Sequence, residues 1–140
     1  MEQTAIATNE RVVVRRWARR PASVRRARHV LRQSLADWGL TGIEGDALLV
    51  LSELLTNAVI HARVSAGRQI ETRFALQGDT VRIQVDDADD RRPETGARRG
   101  QGGRGLVLVA ALSECWGVSD RNGIGKSVWA VLPAAGAGGA

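Results

Sequence analysis

Between Asp46 and Ala62 the apolar and polar positions recur with the period of a helix. At about 100° per residue, Leu48, Leu51, Leu55, Ala58 and Ala62 fall on one side, and Glu53, Asn57 and His61 step along the other at spacings of four. The pattern predicts an amphipathic helix over roughly 43–62. Its polar row is either a solvated face or a place where a carboxylate and an amide, one turn apart, converge on a ligand.

The same reading carries along the chain. Residues 1–10 are polar and unpatterned and are expected to be disordered. Val12, Val13 and Val14, running to Trp17, predict a first strand. Pro21-Ala22-Ser23 opens a helix in which Val24, Ala27, Leu31 and Leu35 recur at helical spacing, and Gly39 ends it. Arg25, Arg26, Arg28 and Arg32 are expected on its solvated side. Ile70, Thr72, Phe74 and Leu76 nearly alternate with polar neighbours, as do Val81, Ile83 and Val85. The Gly78-Asp79 turn between the two runs makes them a hairpin. From Arg91 to Gly103 the chain is rich in Gly and Arg without a large apolar side chain, which predicts a mobile loop. Leu106, Val109 and Leu112 then mark a helix from Gly105. Cys115 to Ser119 and Ser127 to Leu132 predict two last strands, and the tail from 134 to 140 is low-complexity and expected to be disordered. This order lacks the alternation of a doubly wound sheet. It predicts an α+β domain over 11–133, a two-layer sandwich whose mixed, mostly antiparallel sheet is covered by helices on one face.

Composition narrows the classes. The 140 residues suffice for one domain. A formal charge of +5 and a pI near 11.1 come from arginine, Lys126 being the only lysine, and they suit an anionic partner or nucleotide phosphates. Direct nucleic-acid binding is not expected, since the arginines are spread along the chain and stacking aromatics are few. Cys115 is the only cysteine, which excludes an internal disulfide and a cysteine zinc cluster. Its apolar context predicts a small core residue. No apolar stretch reaches membrane-spanning length and no leader is evident, so a cytoplasmic protein without membrane association is expected.

Three further stretches bear on chemistry. Gly123-Ile124-Gly125-Lys126-Ser127 looks like the end of a phosphate-binding P-loop, but Asp120 stands where that motif needs glycine and SVWAVLP predicts a strand where it needs a helix. Lys126 is therefore expected to be solvated. Gly102-Gly103-Arg104-Gly105 precedes a helix, where unpaired N–H groups and a positive dipole end can receive a phosphate, although a flexible linker has the same composition. Asp86 to Asp90 close the second hairpin strand. Asp87 continues the alternation of Val81, Ile83 and Val85 and points with the core, while Asp86 points with Arg82 and Gln84.

Taken in order, E-x-x-x-N on a helix, a strand-end Asp, and a loop ending in GGRG before a helix resemble the ATP-binding domain of the GHKL superfamily. Within it, ELLTNAVIHA and GGRGLVLVAAL are similar to the motifs of the small bacterial anti-sigma factor serine kinases, and the likeness runs from the first strand to Pro133. The acidic motif of that family, D-x-G-x-G, is here Asp87-Ala88-Asp89-Asp90-Arg91, with both glycines replaced.

The resemblance implies a Bergerat-type fold that uses ATP and Mg²⁺. It implies that Glu53 is the general base, that Asn57 offers an amide oxygen to Mg²⁺, and that Asp87 reads adenine. Gly103, Arg104 and Gly105 would close on the phosphates, Ser127 would add a hydroxyl near the adenine end, and His61 would pack. The activity implied is phosphorylation of a serine on an anti-anti-sigma (STAS-type) partner, with a sigma factor as competing partner and a role in transcription regulation. A homodimer stays open. The rival from another class is a switch module that binds its partner, with or without ATP, and transfers nothing.

Overall fold

The computed structural model describes residues 10–60, 69–87, 101–120 and 125–134. Of the ends expected to be disordered, Glu10 opens the first strand and Ala134 donates its N–H to the Asp79 carbonyl at 2.8 Å; residues 1–9 and 135–140, His61, the acidic run beyond Asp87 and the predicted loop up to residue 100 lie outside the described residues.

In chain order the elements are β1 (Glu10–Trp17), α1 (Ala22–Asp37), a single 3-10 turn (Thr41–Ile43), α2 (Glu44–Ile60), β2 (Ile70–Gln77), β3 (Thr80–Asp87), α3 (Gln101–Leu112), β4 (Cys115–Asp120) and β5 (Lys126–Pro133). The strands form one sheet in the order β1-β2-β3-β5-β4, and all four pairings are antiparallel. No parallel pair is found among the described residues, so the expected mixture reduces to a purely antiparallel sheet.

Strand period decides which side chains meet the helices. Thr72 lies opposite Val85, Phe74 opposite Ile83 and Leu76 opposite Val81. Across the next pairing, Val85 meets Val128, Ile83 meets Ala130 and Val81 meets Leu132. These residues make one face of the sheet, and Phe74, Val81, Ile83 and Ala130 are wholly buried there. Buried Thr72 keeps its hydroxyl satisfied by accepting from Trp17 Nε1 at 2.9 Å.

Helix α2 lies at the centre of the helical layer, packed against α1, α3, β3 and β5. Leu48, Leu51, Leu55 and Ala58 are buried as their period predicts, and Ala47, Val50, Leu54 and Val59 are buried as well. Neighbours on several sides widen the apolar face beyond a surface helix's single stripe. Each fully buried Val or Leu side chain among them contributes roughly 1.5–3 kcal/mol. Glu44 and Asp46 in the first turn suit its positive end. Helix α1 stops where expected: Gly39 takes φ +75°, and Leu40 N–H returns to the Leu35 carbonyl at 2.8 Å.

Two sequence expectations change here. Arg28, expected in solvent, donates from Nη1 to the Leu48 carbonyl at 3.2 Å and to Ser52 Oγ, clamping α1 to α2. Arg25 and Arg26 are exposed, and Arg32 pairs with Glu44 at 3.1 Å. Cys115, expected in the core, is exposed. Trp116 and Val118 take the helix-facing positions of β4, opposite Ala130 and Val128, and alternation sends Cys115 to the other face.

Candidate functional site

Asp86, Asp87 and Lys126 lie at one end of the sheet. Antiparallel pairing brings the start of β2, the end of β3 and the start of β5 to the same end of the sheet, with Glu71 opposite Asp86 and Asp87 opposite Lys126. The last turn of α2 is tied to that end through Arg19, two residues beyond Trp17, which itself lies opposite Ile70. Arg19 Nη1 donates to the Val59 carbonyl at 3.3 Å. A two-residue connection, Ser113-Glu114, turns the end of α3 into β4, where Cys115 lies opposite Val131 at the far end of the sheet. Helix α3, about 18 Å long, therefore runs back along the sheet, and its first turn lies towards the Asp87 end.

Glu53 and Asn57 are half-buried on the stripe of α2 that also carries Leu49, Ser52 and Thr56. Asn57 is in the last turn, one turn beyond Glu53. The buried face on the opposite side fixes this direction, because rotating the helix to hide either group would expose Leu51 or Leu55.

Asp87 is 3% exposed and points with the core residues, as the alternation predicts. Asp86 is on the opposite face, where Gln84 Nε2 donates to its Oδ1 at 3.0 Å and Arg82 Nε donates to Gln84 Oε1 at 3.1 Å. A buried carboxylate needs a donor or a countercharge. Lys126 supplies both: its Nζ donates to Asp87 Oδ1 at 3.1 Å and Oδ2 at 3.3 Å, and the lysine is itself only 8% exposed.

The expectation of a solvated Lys126 is thus overturned. Its parity with Val128, Ala130 and Leu132 was the signal that could have shown it, since every second residue of β5 faces the helices. The same parity corrects the placement of Ser127. Its partner across the sheet is Asp86, and it shares the outer face with Trp129 and Val131, so Lys126 and not Ser127 is the β5 residue beside Asp87.

The glycine-rich stretch also differs from expectation. Helix α3 begins at Gln101, so Gly102, Gly103, Arg104 and Gly105 form its opening turns and do not precede it. Glycine costs about 1 kcal/mol in a helix interior, which is why the sequence pattern alone places the start after these residues. In the first turn that penalty is accompanied by an opening: the leading N–H groups, those of residues 101–103, have no acceptor within the helix. Small residues there let an anion approach the backbone.

A family model for the histidine kinase-like ATPase domain matches residues 17–132. The chain belongs to that family. No curated protein matches the chain.

The family implies ATP binding, generally with Mg²⁺. The residue types present are compatible with it: Asp87 is a buried acceptor, the start of α3 has backbone donors, and Asn57 carries an oxygen of the hard type that Mg²⁺ prefers. Among the described residues no group of three or more His, Cys, Asp or Glu side chains is placed to hold a metal ion. The P-loop alternative fails on the structure as well, because Lys126 and Ser127 open a strand and no helix. Among the described residues no helix is long and apolar enough to cross a membrane.

Proposed function

We propose that this histidine kinase-like ATPase domain is a cytoplasmic regulator of the anti-sigma type, using ATP and Mg²⁺ to phosphorylate a serine on an anti-anti-sigma partner, with a sigma factor competing for the same protein. The observation that supports the reading is the pairing of Glu53 and Asn57, one turn apart on one half-buried stripe of α2, the helix whose last turn is tied through Arg19 to the end of the sheet where Asp87 is buried. Each has a distinct task. Glu53 takes the proton of the incoming serine hydroxyl as its oxygen bonds to phosphorus. Asn57 contributes an amide oxygen to Mg²⁺, which when bound neutralises phosphate charge. Asp87 accepts a hydrogen bond from the adenine amino group, and the leading amides of α3 receive phosphate oxygens. ATP supplies the phosphoryl group, and the bond to the departing ADP breaks as the serine ester forms.

The second reading is a switch module that binds its partner without transfer. Asp89 and Arg91 favour it, standing where the related kinases have glycines. Site variants separate the two. A positioned base contributes about 10²–10⁴-fold, so Glu53→Gln should keep ATP affinity and cut phosphorylation of the partner by at least about 10²-fold. Asn57→Ala should lose ATP–Mg²⁺ binding and transfer together. Labelled ATP incubated with candidate partner proteins, followed by phosphoserine mapping, reads both effects. Wild type and Glu53→Gln labelling every bound partner equally slowly would reject the kinase in favour of the switch.

A further inference from the structure

We propose that Lys126 is a specificity-determining residue of the nucleotide site, holding Asp87 as an ionised, acceptor-only carboxylate so that the pocket takes an amino-bearing purine and refuses one with a carbonyl at that position. The inference rests on reading Asp87 as the base-reading group. What the structure adds is the lysine. Lys126 and Asp87 lie opposite each other in the register of β3 and β5, their side chains are 10% and 4% exposed, and Nζ is within 3.3 Å of both carboxylate oxygens. On its other side Lys126 lies opposite Asp120 of β4 in the register of the sheet.

The consequence for recognition follows from what each protonation state can do. An ionised carboxylate only accepts, so it welcomes the amino group of adenine and repels the carbonyl oxygen of hypoxanthine. Without a countercharge, burial favours the neutral acid. A carboxylic acid both donates and accepts, and can therefore face either base edge. By holding the charge on Asp87, Lys126 turns an indifferent contact into a discriminating one. Sites built around a specific hydrogen bond reject mismatched analogues because a buried polar group is then left opposed or unpaired.

Calorimetric titration of the whole chain with three Mg²⁺-loaded ligands, ATP, inosine triphosphate and inorganic tripolyphosphate, tests this. Wild type should prefer ATP to inosine triphosphate by at least about tenfold. Lys126→Met, similar in length and uncharged, should bring that ratio below about threefold while the tripolyphosphate affinity stays within about twofold, since the phosphate end is untouched. If Lys126→Met does not fold, Lys126→Gln, which keeps the reading carboxylate and puts a neutral donor beside it, is titrated in its place with the same expectation. A variant that discriminates as wild type does, that loses tripolyphosphate binding in step with ATP, or that binds ATP more tightly than wild type overturns the role assigned to the lysine. Wild type that binds ATP no better than tripolyphosphate would remove the nucleotide-site reading itself, and with it this inference.

Discussion

Breaking the Asp87–Lys126 pair from one side should be among the most damaging single changes to the stability of this domain. At a separation of 3.1 Å and an effective dielectric constant of about 20, the Coulomb attraction is roughly 5 kcal/mol. Several kcal/mol per ion were given up in taking both groups out of water, so the pair itself contributes little net stability. Removing one partner leaves that desolvation cost uncompensated. Lys126→Met should therefore lose about 3–5 kcal/mol, a fall of roughly 10–15 °C in Tm for a chain of this size. Removing both charges, as in Asp87→Leu/Lys126→Met, should restore stability to within about 1–2 kcal/mol of wild type. Urea denaturation followed by far-ultraviolet circular dichroism measures both, and the cycle isolates the coupling. A single variant within about 1 kcal/mol of wild type, or a double variant as unstable as the single, would refute the reasoning, because the pair would then behave as if solvated.

Asp87→Asn should weaken ATP binding by about tenfold or more, since a charge-assisted acceptor becomes a neutral amide, while Asp86→Asn on the outer face should leave it within about twofold; equal losses in titration would reject the facing assignment. Gly117→Ala should cost about 1–3 kcal/mol, because a Cβ there would meet Trp129 Cζ2 at 2.6 Å and displace an indole that lies 4.5 Å from Arg82 and donates to Ser119 Oγ at 3.3 Å. Thermal melts check that value, and an unchanged midpoint would contradict the close packing. Arg28→Met should destabilise by about 1–3 kcal/mol through loss of the bonds to Leu48 and Ser52, whereas Arg25→Met on the exposed side should stay within about 0.5 kcal/mol. Similar small changes from both would show that the clamp contributes nothing.

The element order was legible in the sequence because it depends on local period. Helix α2 and strands β2 and β3 announce themselves through spacings of about 3.6 and 2, and Gly39 and Gly78-Asp79 mark where the chain must turn. The same local logic set Asp87 inward and Asp86 outward, since one residue along a strand is one change of face. Where the reading went astray, the outcome depended on partners distant in sequence. Lys126 is buried because β5 pairs with β3 and delivers it to Asp87, 39 residues earlier. Ser127 loses its expected position for the same reason, one step of alternation carrying it to the outer face. Arg28 leaves solvent because a neighbouring helix offers a carbonyl and a hydroxyl within reach, something no pattern within α1 could disclose. Helix α3 starts before its glycines, against their intrinsic propensity, which is a weak local preference that tertiary packing routinely overrides. Sequence by itself thus determined which residues were available for chemistry and, in β2 and β3, which way the strand residues pointed. Only the tertiary structure decided which charges meet, because the energy of a buried charge depends on what stands opposite it.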